Sequence, residues 1–240
     1  MQLTLRDVAR LMKVPERTVS RWVQDESLPA KQIGGQYRFN RSELFEWAAL
    51  RKLHLPADLL FESTSGAADS ESDGLARALV AGGVLAQVPG ADREAALAAV
   101  VEKLRLPDRF DRKRLLELFL VREKIGSTAV GDGIAIPHPR YPVVLGVADA
   151  TATVCFLERP IDFGAADGKP VDTLFVLVSP TVRSHLKLLS QLAAALRDDA
   201  FRLAIQRKAS ADEIFAAALR WQDAGDAAPD NGRSHVQRAG

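Results

Sequence analysis

Residues 131–140 read GDGIAIPHPR. Gly131 and Gly133 mark a turn, residues 134–137 read as a short strand, and His138 stands between Pro137 and Pro139. A proline holds its own φ at about −65° and pushes the residue before it out of the helical region. His138 therefore sits in stiff, extended backbone, and Pro139 removes one N–H from its surroundings. This shows restraint, not reactivity. On these residues alone, a packed structural histidine is favoured over a held nucleophile.

The flanking sequence alternates between two periodicities. Upstream, EAALAAVVEKL (94–104) and RKRLLELFLVREK (112–124) repeat apolar residues at helical spacing, and Arg122 falls near the end of the second helix, before the polar turn GST. Downstream, VVLGVADATATVCFLE (143–158) and VDTLFVLVSP (171–180) are rich in β-branched residues and predict strands. HLKLLSQLAAALRD (185–198) and ADEIFAAALRWQD (211–223) return to helix. Alternation of this kind predicts an α/β domain with a sheet between helices. Leu186, Leu189, Leu192, Ala193 and Leu196 define one face of the helix after residue 181. His185 shares that arc, close to the positive helix end that favours anions and a neutral imidazole.

The chain has 240 residues, 47% of them apolar, enough for two packed domains. Its one cysteine, Cys155, cannot form an internal disulfide, which suits a reducing cytoplasm. The first ten residues lack a signal-peptide core and no apolar run is long enough to span a bilayer, so a cytoplasmic protein without membrane insertion is expected. The net charge of +1 names no partner, but its distribution is uneven. Residues 1–55 hold 10 Lys/Arg against 6 Asp/Glu, and residues 56–75 hold 5 Asp/Glu and no Lys/Arg. The expected organisation is a basic head (1–55), an acidic flexible linker (56–74), a main domain (75–222) and a disordered tail (223–240).

In the head, Thr4 and Asp7 form a capping-box pair before Leu5, Val8, Ala9 and Met12, which share a helical face. Pro15 suits the first position of a second helix. That helix points Val19, Trp22 and Val23 one way and Arg17, Ser20, Arg21 and Gln24 the other. Gly34-Gly35 marks a hairpin, and Asn40 with Glu43 caps a third helix whose Leu44, Phe45, Trp47 and Ala48 point inward. The words LTLRDVARLMKVPERTVSRWVQDESLPA and IGGQYRFNRSELFEW resemble the small winged helix-turn-helix of the excisionase and MerR-like families. The resemblance implies binding to double-stranded DNA, with Arg17, Thr18, Ser20, Arg21 and Gln24 in the major groove and Lys31, Gln36 and Arg38 on the wing. A domain this small calls for a homodimer or a second module to bind tightly.

REKIGST, GDGIAIPHPR, RPIDFGAADGKPVDTLFVLVSP and HLKLLSQLA, in that order, resemble the type-2 enzyme IIA domain of the bacterial phosphoenolpyruvate-dependent phosphotransferase system. The resemblance implies an α/β sandwich around a mixed sheet, with His138 as phosphoryl acceptor and Arg122 and His185 beside it. It also implies an HPr-type phosphocarrier as donor, an enzyme IIB protein as an onward acceptor, and no metal or cofactor. Two rivals stand beside a phosphorylatable DNA-binding regulator: a plain phosphocarrier, and a DNA-binding protein whose IIA domain only docks partners. The surface around His138 is expected to stay open to HPr. Coupling to DNA is expected through contact between domains or between subunits, with the body covering the DNA-reading face in either its phosphorylated or its unmodified form.

Overall fold

The computed structural model describes residues 2–25, 28–51, 53, 74–107, 110–140 and 147–226. The expected linker, apart from Gly74, and residues 227–240 of the expected tail lie outside these.

The head runs β1 (Gln2–Thr4), α1 (Leu5–Leu11), α2 (Glu16–Asp25), β2 (Lys31–Ile33), β3 (Gln36–Asn40) and α3 (Arg41–Leu50). Thr4 and Asp7 cap α1 reciprocally, as their spacing predicts. Gly34 and Gly35 take φ of 56° and 76°, the left-handed pair that a two-residue hairpin requires. β1 was not expected from the sequence. It is only three residues long and takes its register from β3, with Leu3 opposite Phe39. Val8, Val19, Trp22, Phe39, Leu44 and Trp47 are buried in one core, where the Trp22 and Trp47 rings pack 5.1 Å apart.

The body runs α4 (Leu75–Gly82), β4 (Val84–Val88), α5 (Arg93–Lys103), α6 (Arg112–Ile125), β5 (Ala129–Gly131), β6 (Ile134–Ala135), β7 (Thr151–Ile161), β8 (Val171–Val178), α7 (Val182–Ala195), α8 (Asp199–Gln206) and α9 (Ala211–Asp226). The sheet order is β4-β7-β8-β6-β5, with β4 parallel to β7, β6 parallel to β8 and the other neighbours antiparallel. The sheet is therefore mixed, as the resemblance implies.

Side chains alternate through this sheet into two cores. Ile134, Ile136, Val154, Phe156, Phe175 and Leu177 pack with α4, α7, α8 and α9 on one face. Ala135, Cys155, Leu157, Leu174 and Val176 pack with α5 and α6 on the other. Burial there pushes the Cys155 thiol far up, so it stays protonated and inert.

Two boundaries differ from the sequence expectation. Of the strand predicted from residue 143, residues 143–146 lie outside the described residues, residues 148–149 form a bend at Ala148 and Asp149, and the strand runs from Thr151. The last helix continues through Asp226, so residues 223–226 are helical rather than part of a disordered tail. Among the described residues, no helix is long and apolar enough to cross a membrane.

Candidate functional site

His138 follows β6, and the sheet aims it. Ile136 N donates to Thr128 O at 3.0 Å, and Leu177 N donates to Pro137 O at 3.0 Å, so the IPHP backbone is tied on both sides. Ile134 and Ile136 face the α7 side, and the alternation of two carries His138 to that side as well. There it meets His185 in the first turns of α7, with ring centroids 5.0 Å apart and the planes tilted by 45°.

The turn before β6 needs its glycines. Gly131, Asp132 and Gly133 all have positive φ, at 85°, 53° and 76°, and Asp132 N donates to Asp167 at 2.9 Å. A Cβ on Gly131 would lie 3.1 Å from the Asp167 carboxylate.

One hydrogen bond sets the chemistry of His138. Nδ1 lies 2.6 Å from Ile136 O, and a carbonyl can only accept, so Nδ1 carries the proton. In the neutral ring this leaves the lone pair on Nε2. Nε2 makes no hydrogen bond of acceptable geometry with any described residue, although a carboxylate stands 3.0 Å away.

Arg122 lies in the last turn of α6 and is held by donating from Nη1 to Gly126 O at 2.8 Å. Behind it, buried Glu123 accepts from Thr128 N at 3.2 Å and from the Thr128 hydroxyl, and Arg93 lies 3.8 Å away. Burial raises the Glu123 pKa, while Thr128 and Arg122 oppose the rise. His185 is buried with neither ring nitrogen bonded within the described residues. Burial, with His138 and Arg122 beside it, holds its pKa at about 3 against the opposing pull of Glu46, so the ring is neutral. The structure thus brings together Arg122, His138 and His185, the three residues singled out in the body.

It also brings in residues that sequence reasoning missed. Helix α3 of the head packs on α7 of the body. Glu46 of α3 pairs with Arg122 through Nε and Nη2, and its Oε1 lies 3.0 Å from His138 Nε2. Burial alone would raise the Glu46 pKa, but His138, Arg122 and His185 outweigh it and hold the carboxyl at about 2. One turn earlier, Glu43 pairs with Arg140, the last residue of the GDGIAIPHPR stretch. With α3 in place His138 is fully buried, 0% exposed, where an open surface was expected. Beside the contact remains a cleft of about 470 Å³, lined by Trp47, Arg51, Arg122 and Arg140 among others. The available signal was a pair of acids, Glu43 and Glu46, on one face of a helix in an otherwise basic head.

The residues expected at DNA lie elsewhere. Arg17, Arg21 and Gln24 on α2, and Lys31 and Gln36 on the β2–β3 wing, are exposed, while Thr18, Ser20 and Arg38 are half-buried. Ser20 donates to Glu16 O at 3.3 Å and Arg38 donates to Gln36 at 2.9 Å. The docked body leaves this face open, contrary to one of the two alternatives expected, in which the unmodified body covers it. The reason is charge: Arg122 and Arg140 call for acids, which Glu46 and Glu43 supply from the one face of α3, whereas the face of α2 that carries Arg17 and Arg21 would repel these two cations.

Residues 81–219 match the family model described as "Phosphoenolpyruvate-dependent sugar phosphotransferase system, EIIA 2". The chain belongs to this EIIA type-2 family. Residues 3–51 match a helix-turn-helix domain model. The EIIA part is similar to the nitrogen regulatory protein of Pseudomonas aeruginosa, 41% identical over 126 residues, covering 51% of this chain and 79% of that one. It is also similar to the nitrogen regulatory protein of Bradyrhizobium diazoefficiens, 38% identical over 107 residues, covering 44% and 68%. Among solved structures, nitrogen regulatory protein IIA-Ntr from Neisseria meningitidis is 31% identical with a TM-score of 0.49, covering 56% of this chain and 91% of that one.

Proposed function

We propose that this EIIA domain accepts a phosphoryl group on Nε2 of His138 from an HPr-type phosphocarrier, and that the helix-turn-helix head binds double-stranded DNA, making the chain a cytoplasmic DNA-binding regulator. The observation that carries the first half is the Nδ1–H bond to Ile136 O, which assigns the lone pair to Nε2, the nitrogen that lies 3.0 Å from the carboxylate paired with Arg122.

The Nε2 lone pair forms a new N–P bond as the N–P bond of the donor ring breaks, and that bond's electron pair stays on the donor nitrogen. His138 keeps its Nδ1–H throughout, and Ile136 O supports the charge the ring gains. Transfer of this kind needs positioning and charge stabilisation more than covalent assistance. Arg122 supplies a forked cation, and neutral His185 supplies a ring N–H 5.0 Å, centroid to centroid, from His138.

Incubation with phosphoenolpyruvate, enzyme I and HPr, followed by intact-mass measurement, tests this reading. One acid-labile phosphoryl group is expected on the wild-type chain and none on His138→Ala. Equal labelling of that variant removes His138 as the acceptor.

A further inference from the structure

Among the described residues, the partners of the Glu46 side chain all belong to the body: Arg122, His138 and, electrostatically, His185. The head's own core is built from Leu44, Trp47 and Ala48 of the same helix, and Glu46 is no part of it. A carboxylate taken out of water and delivered to an arginine fork needs a reason beyond the head's fold.

Its position supplies one. Reacting atoms in phosphoryl transfer approach to about 3–3.5 Å before the bond forms. Glu46 Oε1 stands 3.0 Å from Nε2, on the same guanidinium that would clamp a phosphoryl oxygen. Glu43 on Arg140 fixes the helix one turn away.

We infer that α3 of the head is a tethered occupant of the phosphoryl-transfer site. The Glu46 carboxylate stands where the incoming phosphoryl group must stand, so the docked head and a phosphoryl donor exclude each other. This rests on the proposed acceptance at His138.

Two consequences follow from charge and space. With His138 at 0% exposure, a protein donor reaches Nε2 only when α3 has left. Once His138 carries a phosphoryl group of nearly two negative charges, the same place repels the Glu46 carboxylate, and the head stays out. Because head and body share one chain, α3 competes at the high effective concentration of a tethered group. The exchange is reciprocal: whatever draws the head away speeds phosphorylation, and phosphorylation releases the head.

The test uses the full chain as wild type, Glu46→Ala and Glu46→Gln, with phosphoenolpyruvate, enzyme I and HPr. Alanine keeps the helix and glutamine keeps the shape, so both preserve the head. The initial labelling rate is expected to rise roughly tenfold or more in both variants, as a mostly closed population opens. Equal rates in all three chains overturn the inference. Small-angle scattering of the unphosphorylated chains is the second readout, with a larger radius expected for Glu46→Ala than for wild type. If no chain is labelled, the reading of His138 falls and scattering alone decides docking. Identical radii then overturn this inference too.

Discussion

Helices α2 and α3 belong to one small fold and share its core through the Trp22–Trp47 contact, yet each has a face of its own charge. α2 presents Arg17, Arg21 and Gln24 to solvent. α3 presents Glu43 and Glu46 to Arg140, Arg122 and His138 of the body. The basic face is left free and the acidic face is occupied. A head built this way can meet a polyanion on one side and the Arg122–Arg140 cation pair of the body on the other without choosing between them by sterics alone.

The largest effect expected on this comparison comes from Arg122, the cation that Glu46 pairs with and that the proposed transfer would use. Arg122→Lys keeps the charge but loses the planar fork, and loss of one preorganised donor costs on the order of 100-fold in rate. Labelling kinetics should show that slowing, with a smaller one in His185→Ala. Unchanged kinetics in both would take the two residues out of the transfer site.

On the α2 side, Arg17→Ala and Arg21→Ala should each weaken specific DNA binding by about 1–3 kcal/mol. Each phosphate contact made by the wing should add about 0.9 to the log–log salt slope. Since the docked body leaves α2 exposed, these losses should be equal in the wild-type and Glu46→Ala chains. A loss that appears only when Glu46 is removed would show that docking does cover the reading face.

A smaller effect is expected at the rim. Arg140 is 32% exposed at its side chain and Glu43 17%, so solvent screens the pair and Glu43→Gln should weaken docking by about 0.2–1 kcal/mol. Labelling should then speed up a few-fold at most, well short of Glu46→Ala. A Glu43→Gln effect as large as that of Glu46→Ala would shift the weight of the contact from the site to its edge.

Acid should also separate the two faces. The Glu46 carboxyl is held at about 2 when docked, below the ordinary carboxylate value of about 4.3. A depressed pKa contributes stability that is fully present above the undocked value and is lost as pH falls through the docked one. Arg122, His138 and His185 are the groups facing it. The scattering radius should therefore hold as pH is lowered to about 5 and begin to grow below about pH 4, while Glu46→Gln shows no such onset.

Much of the body was legible because local rules decided it. Proline geometry and the alternation of β6 orient His138, and the apolar repeat of α7 turns His185 inward. The capping pair of Thr4 and Asp7 and the glycine pair of the wing mark the head in the same way. β1, β5 and β6 are two or three residues long, too short for a periodic signal, and take their pairing from longer neighbours. Glu46 and Arg140 were illegible for another reason. No periodicity of their own elements requires them, since they satisfy a contact between surfaces 76 and 97 residues apart in sequence.

The most direct measurement is ¹⁵N relaxation of the full chain before and after phosphorylation by HPr, read on head amides. The account predicts that unphosphorylated head and body tumble together and that the head tumbles faster once His138 is modified. Head relaxation that is the same in both states, whether slow or fast, would contradict it.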